Sequence, residues 1–298
     1  MTQTDLHVHS TFSDGLLSPQ ELCALAHKKH IRVIALCDHD TMDGLASMRA
    51  EVAKLNERGG DLRLIPSVEL STGPNGNTHI LGYGAHPDSA PLQEAIAMLR
   101  QNRASRGRAM LEALARQGIR IPPERLPADD APGRPLGRPH VARALVSMGA
   151  VTTVEQAFQR YLTPGKPAYV PLEHLSTQAA VALLVSAGAV PVLAHPMRMN
   201  LPPHLLEALI GSLIPLGLMG LEVFHPSASR GDVRMLETMA RRLRLLVTGG
   251  SDFHGDRGAR AKLGGLPSGW AQCTGDVEAL LAAIAAQAKT PDSQLLSH

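Results

Sequence analysis

Cysteine, aromatic residues and net charge are all scarce in this 298-residue chain, and each scarcity removes a class of protein. The three cysteines, Cys23, Cys37 and Cys273, form no CxxC pair and no framework spacing, which fits a reducing cytoplasm better than secretion. Aromatic residues make up 3% of the chain, too few for an extended platform on which single-stranded bases stack. The formal charge is +2, so no global field recruits nucleic acid or a membrane surface. Long apolar runs are missing too. The longest uncharged stretch, Leu175 to Pro196, is broken by Gly188 and Pro191 and reads as buried helix, turn and strand, not as a membrane span. Near the start, Asp5, His7 and His9 stand where an export signal needs an apolar run, so the expected location is cytoplasmic. What remains is a globular mixture, 44% hydrophobic and 19% charged, which excludes a disordered or fibrous chain. Its length suits one large domain or one domain with an insertion. Histidine is the abundant exception, with 14 copies.

Short β-branched runs alternate with helical stretches. Strands are expected at Leu6–His9, Ile31–Leu36, Leu62–Leu70 and His79–Gly84, then at Val190–Ala194, Leu218–Phe224 and Leu243–Thr248. Ser18-Pro19-Gln20-Glu21 supplies an N-cap, a proline at the first helical position and a capping-box glutamate. Further helices are expected from Gly44 to Leu55, from Ser176, Pro202 and Ser229, and over Asp276–Ala288. Repeated βα units imply parallel strands with right-handed crossovers, hence a barrel or a doubly wound sheet. Between Leu99 and Val170 the alternation fails, and that stretch reads as an inserted helical subdomain. Residues 100–140 hold nine arginines against four acids, which suits either a solvated helical surface or an anion-binding lid.

Four expected strands run into residues of metal-ligand type. Asp5-Leu6-His7-Val8-His9 places His7 and His9 on one face of an extended strand. The second strand exits as Cys37-Asp38-His39-Asp40, the Val190–Ala194 strand at His195-Pro196, and the Leu243–Thr248 strand as Gly249-Gly250-Ser251-Asp252-Phe253-His254. Functional residues of βα barrels collect at the C-terminal ends of strands. Clustered imidazoles and carboxylates cost desolvation and repulsion that a bound cation removes. Asp14, Glu69 and His79 complete a set of nine, too many for one ion and suited to two or three. Mixed imidazole and carboxylate ligands suit manganese, iron or zinc better than calcium or magnesium.

The same segments resemble the PHP superfamily of phosphoesterases. They are Asp5-Leu6-His7-Val8-His9-Ser10 with Ser13-Asp14-Gly15, Asp38-His39-Asp40-Thr41, Glu69, His79-Ile80-Leu81-Gly82-Tyr83, Ala194-His195-Pro196 and Gly250-Ser251-Asp252-Phe253-His254. The resemblance implies an α/β fold, a distorted amidohydrolase-like (β/α)7 barrel over residues 1–98 and 171–298, with residues 99–170 as an inserted helical substrate-binding lid. It also implies three divalent ions, Mn2+ foremost. By position, His7, His9, Glu69 and Asp252 would hold the first, a bridging Glu69 with His79 and His195 the second, and Asp14, His39 and His254 the third. Histidinol phosphatases typically carry histidine where this chain has Asp14. The Ser13-Asp14-Gly15-Leu16-Leu17-Ser18-Pro19 string is instead similar to the branch of 3′,5′-bisphosphate nucleotide phosphatases and a 5′-to-3′ exoribonuclease.

The resulting expectation is a hydrolase of phosphoric esters that removes the 3′-phosphate of a nucleoside 3′,5′-bisphosphate, such as adenosine 3′,5′-bisphosphate, through a metal-bridging hydroxide near Glu69. Exonucleolytic release of mononucleotides from 5′-phosphorylated RNA is the alternative, and histidinol phosphate hydrolysis the third. The catalytic group comprises Asp14, His39, Glu69 and His254, with the proton for the leaving oxygen arranged by His254, His39 or Asp38. Asp40 reads equally as a partner of His39 or as the N-cap of the next helix. The substrate's second phosphate calls for bidentate cations. The candidates are Asn102, Arg103, Arg106, Arg134, Arg138, His140 and Lys166 in the insertion, with His225 after the Leu218–Phe224 strand. Phe12, Tyr83 or Tyr169 would stack a base. The partner is a small nucleotide with two phosphates, or a short RNA 5′ end. Neither a membrane nor a protein partner is implied.

Overall fold

A computed structural model describes residues 3–73, 76–126, 136–171, 174–255, 261–265 and 276–288. By its internal contacts the chain divides into two compact units, Met1–Glu94 with His174–His298, and Ala95–Glu173.

The first unit is a curled seven-stranded sheet with strands in sequence order: β1 (Gln3–Val8), β2 (Ile31–Leu36), β3 (Arg63–Thr72), β4 (Thr78–Tyr83), β5 (Val190–Leu193), β6 (Gly220–Phe224) and β7 (Leu246–Gly249). A parallel bridge between Val8 and Phe253 joins β1 to the chain that leaves β7, so the sheet bends round on itself as a distorted barrel. Helices α1 (Pro19–Lys28), α2 (Gly44–Glu57), α6 (Thr177–Ser186), α7 (Pro203–Leu213) and α8 (Arg230–Leu243) connect the strands. The start of α1 is built as its sequence implies. The Ser18 hydroxyl accepts the Glu21 amide, Glu21 accepts the Ser18 amide at 2.8 Å, and Leu22, Cys23 and Ala26 are buried.

Two details depart from the sequence expectation. The sheet is not uniformly parallel, because β4 runs antiparallel to both β3 and β5. The link from Thr72 to Thr78 is too short for the crossover that parallel pairing needs, so the chain turns back as a hairpin. The seventh strand begins at Leu246 and not at Leu243. Helix α8 continues to Leu243 and ends on Arg244 in the left-handed region (φ 56°).

Inside the barrel, Leu6, Val33, Ala35, Ile65, Leu81, Val190 and Val192 form the apolar core. Tyr83 belongs to this core, fully buried with its hydroxyl donating to the Leu6 carbonyl at 2.9 Å, and so presents no stacking face. Helix α9 (Val277–Gln287) packs Leu280 and Ile284 onto it near the strand starts. A Cβ on Gly84 would lie 2.5 Å from Ile284 Cγ2, which explains glycine there. The strand exits are left for polar residues.

The second unit is helical. The long α3 (Ala90–Arg116) enters it, followed by α4 (Arg138–Ser147) and the short α5 (Val154–Ala157). Met110, Leu114, Val141, Leu145, Val151 and Leu162 give it a core of its own. Among the described residues, no helix is long and apolar enough to cross a membrane.

Candidate metal centre

Strand alternation puts Asp5 and His7 on one side of β1 and the apolar Leu6 and Val8 on the other, and all four are buried. Asp5 ties β1 to the chain after β7. Its carboxylate accepts the amides of Ser251 at 2.9 Å and Gly264 at 2.8 Å, and the Ser251 hydroxyl. Gly250 makes this approach possible, since a Cβ there would stand 2.3 Å from His7 Cβ. Asp252 then takes the left-handed region (φ 52°), and its carboxylate reaches His7 on β1 and His9 just beyond it.

Glu69, fully buried on β3, is the centre of the arrangement. Its two oxygens face two different sets of imidazoles. Oε2 lies 3.2 Å from His7 Nε2, 3.3 Å from His9 Nε2 and 3.0 Å from His39 Nδ1. Oε1 lies 2.8 Å from His79 Nδ1 and 2.9 Å from His195 Nε2. Asp252 Oδ1 closes the first set, 3.2 Å from His9 Nε2 and 3.6 Å from His7 Nε2. Beside it, His254 Nε2 is 3.1 Å and His39 Nε2 4.0 Å from Asp14 Oδ1, with the His254 ring stacked on His9 at 4.1 Å between centroids. Ligand-type atoms therefore converge in three overlapping groups: His7, His9, Glu69 and Asp252; His9, Asp14, His39 and His254; and His39, Glu69 and His79.

These residues fit divalent cations. His7 Nε2, His9 Nε2, His39 Nδ1 and Glu69 Oε2 are buried without an aligned hydrogen-bond partner, although they stand close together. Such groups cost several kcal/mol when left unmet, of the order of 2–7 each, and a cation at their centre satisfies all of them. Burial disfavours charge on His254, yet Asp14 and Asp252 push its pKa up to about 10. Burial brings His195 down to about 4 despite Glu69. Burial also opposes the negative charge of Glu69, but His39, His7 and His79 hold it well below the usual carboxylate range.

The residues around this set have definite tasks. Asp38 accepts the Ser10 amide and the Ser10 and Ser13 hydroxyls at 2.6–2.8 Å, fixing the loop that carries Asp14 and leaving no bond to His39. Asp40, left-handed at φ 50°, accepts the Ser71 amide at 2.8 Å, and Asp43 rather than Asp40 precedes α2. His225 is buried beside Asp252, with Nε2 3.4 Å from Oδ2 and Nδ1 2.8 Å from the Ser227 hydroxyl. Two residues escaped the sequence reading. Arg198, half exposed, donates to Asp252 Oδ2 at 2.7 Å. Glu222, fully buried on β6, meets His7 Nδ1 at 2.9 Å and accepts the His195 amide at 2.6 Å. A glutamate inside the otherwise apolar strand Leu218–Phe224 was the signal for the latter.

The remaining candidates lie in the helical unit. Arg138 opens α4 with its guanidinium 5.9 Å from the centre of the Phe158 ring. Burial and the nearby Arg103 lower its pKa, while Tyr169 works the other way. His140 is buried and its Nδ1 accepts the Gly137 amide at 3.0 Å, a bond that closes the start of α4. Arg106 is buried, Asn102 is half-buried and Lys166 is exposed. Arg134 and Cys273 lie outside the described residues.

Comparison with known proteins decides what this geometry belongs to. The PHP domain matches residues 5–115. A 3′,5′-nucleoside bisphosphate phosphatase from Chromobacterium violaceum is 37% identical over 256 residues, 85% of this chain and 88% of that protein. The chain belongs to the PHP family. A 5′-3′ exoribonuclease from Haemophilus influenzae is 35% identical over 254 residues, with 84% and 89% covered. Among solved structures, an amidohydrolase of Chromobacterium violaceum with bound sulfate and no metal superposes with a TM-score of 0.82 at 33% identity, over 95% of this chain and 97% of that one. A putative metal-dependent phosphoesterase of Bifidobacterium adolescentis also reaches 0.82, at 29% identity over 95% and 96%. This PHP protein is a metal-dependent phosphoesterase, a hydrolase acting on phosphoester bonds.

Proposed function

We propose that the protein removes the 3′-phosphate from nucleoside 3′,5′-bisphosphates such as adenosine 3′,5′-bisphosphate. The observation that carries this reading is the similarity to a phosphatase of that name over 85% of the chain, together with the ligand-type residues that gather around Glu69. We assign three divalent ions to the site, Mn2+ foremost, on the resemblance to PHP phosphoesterases, and the mixed imidazole and carboxylate donors suit manganese, iron or zinc. His7, His9, Glu69 and Asp252 would hold one, Glu69, His79 and His195 a second, and Asp14, His39 and His254 a third. Bound ions supply Lewis-acid polarisation of the phosphoryl oxygens and make a water acidic enough to attack near neutral pH.

The protein's own groups do the rest. Glu69 spaces the sets because each of its oxygens is committed to a different one. Of the three groups considered for the proton of the leaving oxygen, Asp38 is already engaged by Ser10 and Ser13, and His39 and His254 could give up a ring proton only from the nitrogen that would not hold the third ion. In the helical unit, Arg138 and Arg103 are near neighbours, and two guanidiniums are suited to bidentate recognition of a phosphate. We assign the recognition of the second phosphate to these guanidiniums, together with Asn102, Arg106, Arg134, His140, Lys166 and His225. The scarcity of cysteine supports a cytoplasmic site of action.

The exonuclease reading is favoured by one observation, the 35% identity to a 5′-3′ exoribonuclease over nearly the same length. Both reactions attack the phosphorus on a 3′ oxygen. Phosphate release with Mn2+ from adenosine 3′,5′-bisphosphate, compared with AMP and a short 5′-phosphorylated RNA, separates them. Fast release from the bisphosphate with AMP as product and little RNA shortening supports the phosphatase. Stepwise mononucleotide release from RNA at equal or greater efficiency replaces it with the exonuclease, and inactivity on all three refutes both.

A further inference from the structure

Behind the ligand-type residues, one buried carboxylate touches two of them by different atoms. Glu222 is fully buried on β6, inside the barrel unit. Its Oε1 lies 2.9 Å from Nδ1 of His7, whose other nitrogen, Nε2, faces Glu69 and Asp252. Its Oε2 accepts the backbone amide of His195 at 2.6 Å, and His195 holds a left-handed backbone at φ 25°, ψ 60°. Left-handed backbone is unfavourable for a residue with a side chain and persists only where surrounding contacts over-determine it. The turn at His195 brings its Nε2 to 2.9 Å from Glu69 Oε1.

We infer that Glu222 is a positioning residue that sets the geometry of two metal-ligand histidines on different strands, His7 through its ring and His195 through its backbone. The chemistry follows from donor counting. A backbone amide only donates, and an imidazole that donates from Nδ1 must present the lone pair of Nε2 inward, the form a cation requires. Both bonds to Glu222 therefore need an acceptor, and a carboxylate offers two. Glutamine has nearly the same shape but a single acceptor oxygen. In Glu222→Gln one partner is left facing an NH2 group. Either the His195 turn loses the bond that supports it, or His7 changes tautomer and points a proton at Glu69 and Asp252. The residue thereby couples the two ligand sets that meet on opposite oxygens of Glu69.

The inference rests on the metal reading of the site and is independent of the substrate. It is tested on the full-length protein after metal depletion, by titrating Mn2+ calorimetrically into the wild type and into Glu222→Gln, with circular dichroism as the check on folding. The expected result is an unchanged fold and an Mn2+ affinity about 10–100-fold weaker in the variant, the range for partners that orient metal ligands. Equal affinity and stoichiometry in the two proteins would overturn the inference while leaving the metal reading intact. A wild type that binds no Mn2+ overturns both. Histidine 15N spectra of the Zn2+-loaded wild type give an answer that needs no variant. His7 is expected with its proton on Nδ1 and its metal on Nε2, and the opposite arrangement refutes the proposal even if Glu222→Gln fails to fold.

Discussion

Both units of this chain have an apolar core, but they differ in the polar side chains buried beside it. The helical unit buries Met110, Leu114, Val141, Leu145 and Leu162 against one another, and its buried polar side chains among the described residues are Arg106 and His140. The barrel unit buries Asp5, His7, His9, Asp38, Asp40, Glu69, His195 and Glu222. Apolar burial stabilises without regard to direction, so the helical unit tolerates small shifts. Buried carboxylates and imidazoles are favourable only when each finds its partner. The polar centre of the barrel therefore specifies positions at a cost in stability, and its donor set is one that a cation would satisfy.

Metal removal tests this contrast most severely. Chelation should abolish phosphoester hydrolysis, with recovery on adding Mn2+, and should lower the stability of the barrel by about 2.7 kcal/mol for each ion held at 100 times its Kd. Hydrogen exchange should show faster exchange at His7, His9 and Glu69 and no change at Leu114, Val141 and Leu145. Loss of protection in both units alike would erase the distinction drawn between them.

Glu69→Gln comes next. Because both oxygens are committed, the activity should fall by more than the roughly 100-fold that bounds outer-sphere changes, with metal content reduced in parallel. A variant that keeps its metal and most of its rate would remove Glu69 from the centre. Leu145→Ala in the helical core should cost roughly 2–5 kcal/mol in that unit, read as local exchange, while bound metal per chain stays constant. Arg138→Ala should raise KM by about 10–100-fold, the value of one charged hydrogen-bonding group, with kcat nearly unchanged. A pure kcat effect would take Arg138 out of substrate binding. The smallest effect is expected for the exposed Lys166, where alanine should change KM by no more than about fivefold, as for solvent-screened charges.

Much of this was legible in the chain itself. The Ile31–Leu36 strand and the Ser18 cap follow from local rules, because a short β-branched apolar run and a capping box depend only on near neighbours. The convergence of His7, His9, His39, Glu69, Asp252 and their companions was foreseeable from strand exits, since parallel strands in one sheet present their ends to the same side. The roles of Asp38 and Asp40 were not. Their partners Ser10, Ser13 and Ser71 come from other segments, and a carboxylate beside a histidine in sequence says nothing of which donor reaches it.

The sequence by itself determined the ligand chemistry and the order of the elements, because residue type and short-range periodicity are properties of the chain. Only the tertiary structure decided that Glu69 gives one oxygen to each set of imidazoles, and that Glu222 stands behind both His7 and His195. Those outcomes depend on how far the sheet curls and on where Gly250 lets β1 approach. Distances of about 3 Å between residues far apart in the chain are set by packing, which no local pattern encodes.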